Sequence, residues 1–179
     1  FIQWGFSQVF PAKTMCAHVT TWNKNSSVKF RTDVAMMCKL GFDIKLADMS
    51  KDDETYCRTA VQNYNRLKPV VLEGDMYRLV SPYGSNHTST MYVGKDKDKA
   101  AVFAFDIHPR YAEKILPVRL QVHVADKMYR VKEINLMPGA NSSLSGNGEV
   151  FSGEFLMNVG LNLFTAQQLN SRVIEVVAE

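Results

Sequence analysis

FDIKLADMSKDDETYCRTAVQNYNRLKPVVLEGDMYRLVSP, from Phe42 to Pro82, holds the change of pattern on which the fold turns. Phe42 to Ala47 alternates apolar and polar residues, as a half-buried strand does. Ser50 then has the chemistry of a helix N-cap, and Asp52, Asp53 and Glu54 fill the first turn, where the positive end of the helix dipole favours carboxylates. Tyr56, Ala60, Tyr64 and Leu67 recur at helical spacing and make the buried stripe, and Pro69, lacking an N–H, is expected to end the helix. Tyr77 to Val80 returns to strand composition, and Ser81-Pro82-Tyr83-Gly84 reads as a turn.

Upstream of this stretch, helix and strand signals alternate. Ile2 to Phe10 has helical apolar spacing and stops at Pro11. Met15 to Thr20 is a short apolar run suited to a buried strand. Phe30, Val34 and Met37 mark a second helix, with Gly41 placed as its C-cap. Helix, strand, helix, strand, helix is the order of a parallel sheet or a (β/α) barrel.

Downstream, the helical signals give way to strands. Thr90 to Val93, Ala101 to Ile107, Val118 to Val124, Met128 to Ile134 and Arg172 to Val177 are strand-like, with turn residues such as Lys95 to Asp98 and Met137 to Ala140 between them. Short strands at this spacing predict an antiparallel sandwich from Pro69 onward, with Phe103, Phe105, Val122, Val131 and Val176 in or near its core. Ala101 to Phe105 alternates poorly, which predicts a strand covered on both faces.

The composition sets outer limits. Apolar residues make up 46% of the 179 and charged residues 22%, proportions of a globular chain. No apolar run reaches the length of a membrane span. The net charge is only +3 and the basic residues are scattered, which argues against nucleic acid as a partner. Cys16, Cys38 and Cys57 are odd in number and lack metal-ligand spacing, so they read as small core residues. No His/Cys/Asp cluster suggests a metal site, no serine sits in a nucleophile elbow, and no cofactor motif is present. The chain opens mid-pattern at Phe1-Ile2-Gln3-Trp4-Gly5-Phe6, without a basic leader or helix cap, so it reads as the continuation of a longer chain.

Two residues stand where barrel chemistry would be. His18 lies near the end of the Met15–Thr20 strand, and the C-terminal strand ends of a (β/α) barrel carry its active site. Trp22 follows in the next loop, where an indole could stack on a sugar face. The bland alternatives are a packed histidine bonded to backbone and a loop anchor.

Several blocks together resemble glycoside hydrolase family 36, of the bacterial α-galactosidase type. Ile2-Gln3-Trp4-Gly5-Phe6-Ser7, Val9-Phe10-Pro11 and Met15-Cys16-Ala17-His18-Val19-Thr20 are similar to an I-Q-x-G-x-S helix leading through proline to M-G-A-H-V-S. Arg31 to Met36 resembles R-G-D-V-A-M, and Leu40 to Ile44 resembles F-G-Y-E-L. Gly74 to Pro82 resembles G-D-F-Y-R-L-L-S-P, and Ser152 to Leu161 resembles S-G-D-E-L-M-N-A-G-L. The blocks keep their order across nearly the whole chain.

The resemblance implies an α+β chain: the last two βα units of a (β/α)8 barrel over residues 1–68, then an antiparallel C-terminal β-sandwich over 69–179. It implies a retaining glycosidase that removes terminal α-galactosyl units from oligosaccharides with two carboxylates, one nucleophile and one acid/base. The family's W-D-x-N and S-D-N motifs for these are absent here, so no catalytic residue carries over and the chain alone is expected to be inactive. His18, Trp22 and Cys16 are the candidate substrate-binding residues. Cys16 replaces a common glycine, and the loop from Thr21 to Lys29 is short and lacks an N-H-Q segment, so α-N-acetylgalactosaminidase stays open as the alternative. A non-catalytic carbohydrate-binding or interaction sandwich is the other. It is disfavoured because no Trp follows Pro69 to offer a sugar platform. Two barrel units leave unpaired strand edges, which predicts that residues 1–67 are disordered, pack on the sandwich or pair between copies, a homo-oligomer.

Overall fold

Two serines open the main helices. The computed structural model describes residues 1–22, 25–121 and 124–179. In it the Ser27 hydroxyl accepts from the Phe30 N–H at 3.1 Å to start α2 (Val28–Ala35), and the Ser50 hydroxyl accepts from the Asp53 N–H at 3.1 Å to start α3 (Lys51–Glu73). Each cap satisfies a backbone donor that the first helical turn cannot. Ahead of them lie α1 (Ile2–Phe6) and β1 (Cys16–Thr20), and β2 (Lys39–Asp43) falls between the two helices. β1 and β2 pair in parallel, with Cys16 beside Lys39, His18 beside Gly41 and Thr20 beside Asp43. With α2 crossing between them they form one βαβ unit.

Two helix ends differ from the sequence reading. α3 runs 23 residues, straight through Pro69. Pro69 sits on the exposed side of the helix, where water can take up the carbonyl its ring leaves unbonded. Val70 and Val71 beyond it are buried, and that packing holds the last turn in helix. Gly41 is not a C-cap. α2 stops at Ala35, and Gly41 lies in the middle of β2, which starts ahead of the Phe42–Ala47 strand expected.

The second half is a six-stranded sheet of β3 (Asp75–Val80), β4 (His87–Val93), β5 (Lys99–Asp106), β6 (Met128–Ile134), β7 (Val150–Ser152) and β8 (Asn170–Ala178). Its order is β3-β4-β5-β8-β6-β7, and every neighbouring pair is antiparallel. The central strands β5 and β8 are buried on both faces, as the poor alternation of Ala101 to Phe105 required. Phe103, Phe105, Val131 and Val176 are all buried, and Val122 lies outside the described residues.

One face carries Tyr92, Ala101, Phe103, Phe105 and Val173 and packs on α2, α3 and the inner sides of β1 and β2, in a single apolar cluster. The other carries Met91, Val102, Ala104, Val131, Ile174 and Val176. Its cover is not a second sheet among the described residues. Val118, Leu120, Leu144, Leu161 and Leu163 come from irregular chain, with Leu156 from the short helix α4 (Gly153–Asn158). Of the expected strand Val118–Val124, Val118 makes only an isolated bridge to Leu161. Arg119 and Gln121 break the apolar run, and Val118 and Leu120 reach the core without a ladder. The fold is thus mixed α/β, one antiparallel sheet between a helical layer and an irregular one. Among the described residues no helix is long and apolar enough to cross a membrane.

A buried polar cluster joins the layers. Asp33 of α2 accepts from the Tyr56 hydroxyl of α3 at 2.7 Å, from Asn135 Nδ2 at 3.0 Å and from the Ser171 hydroxyl of β8 at 2.7 Å, while Lys29 Nζ stands 2.6 Å away. A carboxylate with this many donors is paid for in full despite its burial.

Candidate functional site

The polar face of the parallel pair is the first candidate. Alternation along β1 turns Ala17 and Val19 towards the helices and leaves Cys16 and His18 exposed on the opposite side. His18 lies across its β2 neighbour: a Cβ on Gly41 would run into His18 Cδ2 and stand 2.6 Å from Nε2. The glycine is there because the imidazole occupies the space a side chain would fill. Cys16 and His18 line one cleft of about 600 Å³, together with Gln3, Phe6, Phe10 and Cys38. Burial pushes the Cys38 thiol up to about 11, with the Gln3 contact opposing and the nearby Cys16 adding to the rise. A cleft with an imidazole, a thiol and phenyl rings can offer hydrogen bonds and apolar contact, and has no carboxylate to act as acid, base or nucleophile.

Trp22 is not part of that cleft. It is 87% exposed in the turn after β1, so the structure brings together Cys16 and His18 of the three sequence candidates and leaves Trp22 apart.

A second cleft, of about 890 Å³, lies between the β3 edge and the segment from Glu113 to Gln121. His87 and Glu113 line it, and His87 is bonded to Asp106 at 2.6 Å. Sequence reasoning passed over all three residues. The register that sets His87 beside Asp106 belongs to the β4–β5 pairing, which has no local signal in the sequence. Among the described residues no group of three or more His, Cys, Asp or Glu side chains is arranged to hold a metal.

Known families match both halves of the chain. A model described as the glycosyl hydrolase family 36 C-terminal domain matches residues 87–176, half of the chain, and a model described as melibiase matches residues 1–74. The chain belongs to glycosyl hydrolase family 36. Within the family it is similar to α-galactosidase 2 of Hypocrea jecorina, 31% identical over 97% of this chain and 22% of that protein. It is also similar to the probable α-galactosidase C of Aspergillus terreus, 32% identical over 97% of this chain and 22% of that protein. The chain therefore spans less than a quarter of the length of these relatives. Relatives come from fungi and from the bacterium Pediococcus pentosaceus, so the resemblance does not single out a bacterial source. Among solved structures, family 36 α-galactosidase AgaA of Geobacillus stearothermophilus superposes with a TM-score of 0.84 at 25% identity, covering 99% of this chain and 24% of that one. A variant of the same enzyme in complex with stachyose gives a TM-score of 0.85.

Proposed function

We propose that this family 36 chain is the C-terminal part of a retaining α-galactosidase, one that removes terminal α-galactosyl units from oligosaccharides. The observation that carries this reading is the melibiase match over residues 1–74, which ends with α3 and covers the whole β1–α2–β2 unit. In this reading residues 1–68 supply the last two βα units of a (β/α)8 barrel and residues 69–179 the C-terminal domain. A parallel pair with one polar, uncovered face supports it, since parallel strands are otherwise buried on both sides and such a face suits a barrel interior. Cys16 and His18 then face the sugar, with Trp22 on the loop at the rim. The oligosaccharide is the partner, as raffinose and stachyose are for the Geobacillus structures. The uncovered pair also favours self-association of the isolated chain.

Retaining hydrolysis needs two carboxylates about 5 Å apart, and neither of the family motifs that supply them occurs here. The isolated chain is therefore inactive. The test is turnover of nitrophenyl α-galactoside by the isolated chain and by the full-length protein, with the α-N-acetylgalactosaminide in parallel. Activity in the full-length protein and none in the chain is expected. Turnover by the chain that disappears when one of its own residues is substituted overturns the reading, and preference for the acetamido substrate reassigns the specificity.

A further inference from the structure

His87 opens β4 and pairs in register with Asp106 at the end of β5. Its Nδ1 lies 2.6 Å from Asp106 Oδ1. Asp106 also receives the Thr165 N–H at 3.0 Å, the Thr165 hydroxyl at 2.7 Å and Asn170 Nδ2 at 3.4 Å. A carboxylate collecting donors in this way is an acceptor only, so the network assigns the proton between the pair to Nδ1. The ring is held flat against Phe164, with centroids 4.7 Å apart.

The other ring nitrogen is left over. His87 is 4% exposed, and Nε2 is buried with no hydrogen-bond partner. The group in front of it is Glu113 Oε2 at 3.6 Å. That carboxylate is itself an acceptor, taking the Arg110 N–H at 3.0 Å and Asn86 Nδ2 at 3.2 Å. These donors hold the Glu113 carboxyl below the usual carboxylate range. Nε2 and the Glu113 carboxylate therefore face each other across a gap too long for a hydrogen bond.

Such a gap fits an ion. Two ligands at about 2.0–2.2 Å from a tetrahedral zinc stand roughly 3.4 Å apart. A histidine whose far nitrogen is fixed by a carboxylate is the usual outer arrangement of a metal ligand. The cleft of about 890 Å³ that both residues line lets water complete the coordination. We propose that His87 Nε2 and Glu113 bind a divalent transition-metal ion of the zinc class, with Asp106 orienting the imidazole. The ion ties the segment after β5 to the sheet. It has no part in the glycosidase reading, and its test is independent of activity. With two protein ligands, and with Lys114 and Arg119 lining the same cleft, affinity is modest.

The test uses the 179-residue chain with Cys16→Ser to remove the exposed thiol, stripped with chelator and titrated with Co2+ as the probe, then with Zn2+ in competition. Visible absorption of low-symmetry Co2+ at one equivalent is expected, displaced by Zn2+. His87→Gln and Glu113→Gln should each weaken binding about tenfold or more, and His108→Ala should leave it unchanged. Glu113 is partly exposed, so its variant keeps the test decisive if His87→Gln fails to fold. Absence of the Co2+ signal at millimolar ion, or a signal that survives Glu113→Gln, overturns the proposal and leaves an ion pair only.

Discussion

The carboxylate of Asp33 and the side-chain amide of Asn135, 102 residues apart in sequence, meet at 3.0 Å in the buried seam between α2 and the sheet. Asn135 holds φ at 59°, a left-handed conformation that asparagine tolerates better than most residues, and so it serves both as a turn and as a donor. The Tyr56 hydroxyl completes the set, and burial with the adjacent carboxylate pushes its phenol well up. Tyr56→Phe should therefore cost about 1–3 kcal/mol, the penalty for removing one donor from a buried acceptor. Asp33→Ala strips the carboxylate from a nearly buried Lys29, which keeps the Ser171 carbonyl at 2.8 Å, and should cost about 3–5 kcal/mol. Urea unfolding curves of the two variants decide. Losses under half a kcal/mol would show that the cluster is not what joins the layers.

If the proposed function holds, His18→Ala in the full-length protein should lower kcat/KM by about tenfold or more, the worth of a hydrogen bond or two to substrate, with no shift in Tm. The reason is exposure: His18 stands on the open face of β1, over the bare backbone of Gly41. Gly41→Ala should act through the same group. Its methyl displaces the imidazole, which is free to swing into solvent, so activity falls while stability stays. A drop in Tm with unchanged kcat/KM would make His18 a structural residue.

Much of this could be read in the chain beforehand, and what could not has physical reasons. The cap at Ser50 acts within three residues, so the start of α3 was legible from its first turn. The doubly covered strand β5 was legible because burial on both faces erases alternation. Pro69 misled because propensity describes an isolated helix, whereas Val70 and Val71 are held by the core of the sheet. The expected strand from Val118 misled because apolar content reports burial, and Val118 and Leu120 reach the core with isolated backbone bonds to Leu161 and Leu156 in place of a strand ladder. His87, Asp106 and Glu113 were invisible because strand register and a loop's path bring them together, and neither leaves a local mark.

The three thiols should separate cleanly. Cys16 is exposed while Cys38 and Cys57 are buried, and burial raises both of the latter. At pH 8 a thiol titrating near 11 is only about one-thousandth thiolate, and the thiolate is the reactive form. Ellman's reagent should label one thiol of the native chain rapidly and the other two only in denaturant. Cys16→Ser should abolish the rapid phase. Two rapid thiols would mean that the cleft beside β1 opens in solution.

Pro69→Ala offers a test of how α3 is held. The ring removes the hydrogen bond to the carbonyl of Asn65 and crowds that turn, a defect costing about 3 kcal/mol in an unsupported helix. The helix nevertheless continues to Glu73 and delivers Leu67, Val70 and Val71 to the core on either side of the proline. Because Pro69 itself is exposed, alanine removes the defect without removing a packed side chain. The substitution should raise stability by about 1–3 kcal/mol in urea titration, the upper limit being reached only if the backbone relaxes fully. A loss of stability would mean that the proline itself helps to seat Val70 and Val71 against the sheet, so that the helix depends on its proline and does not merely tolerate it.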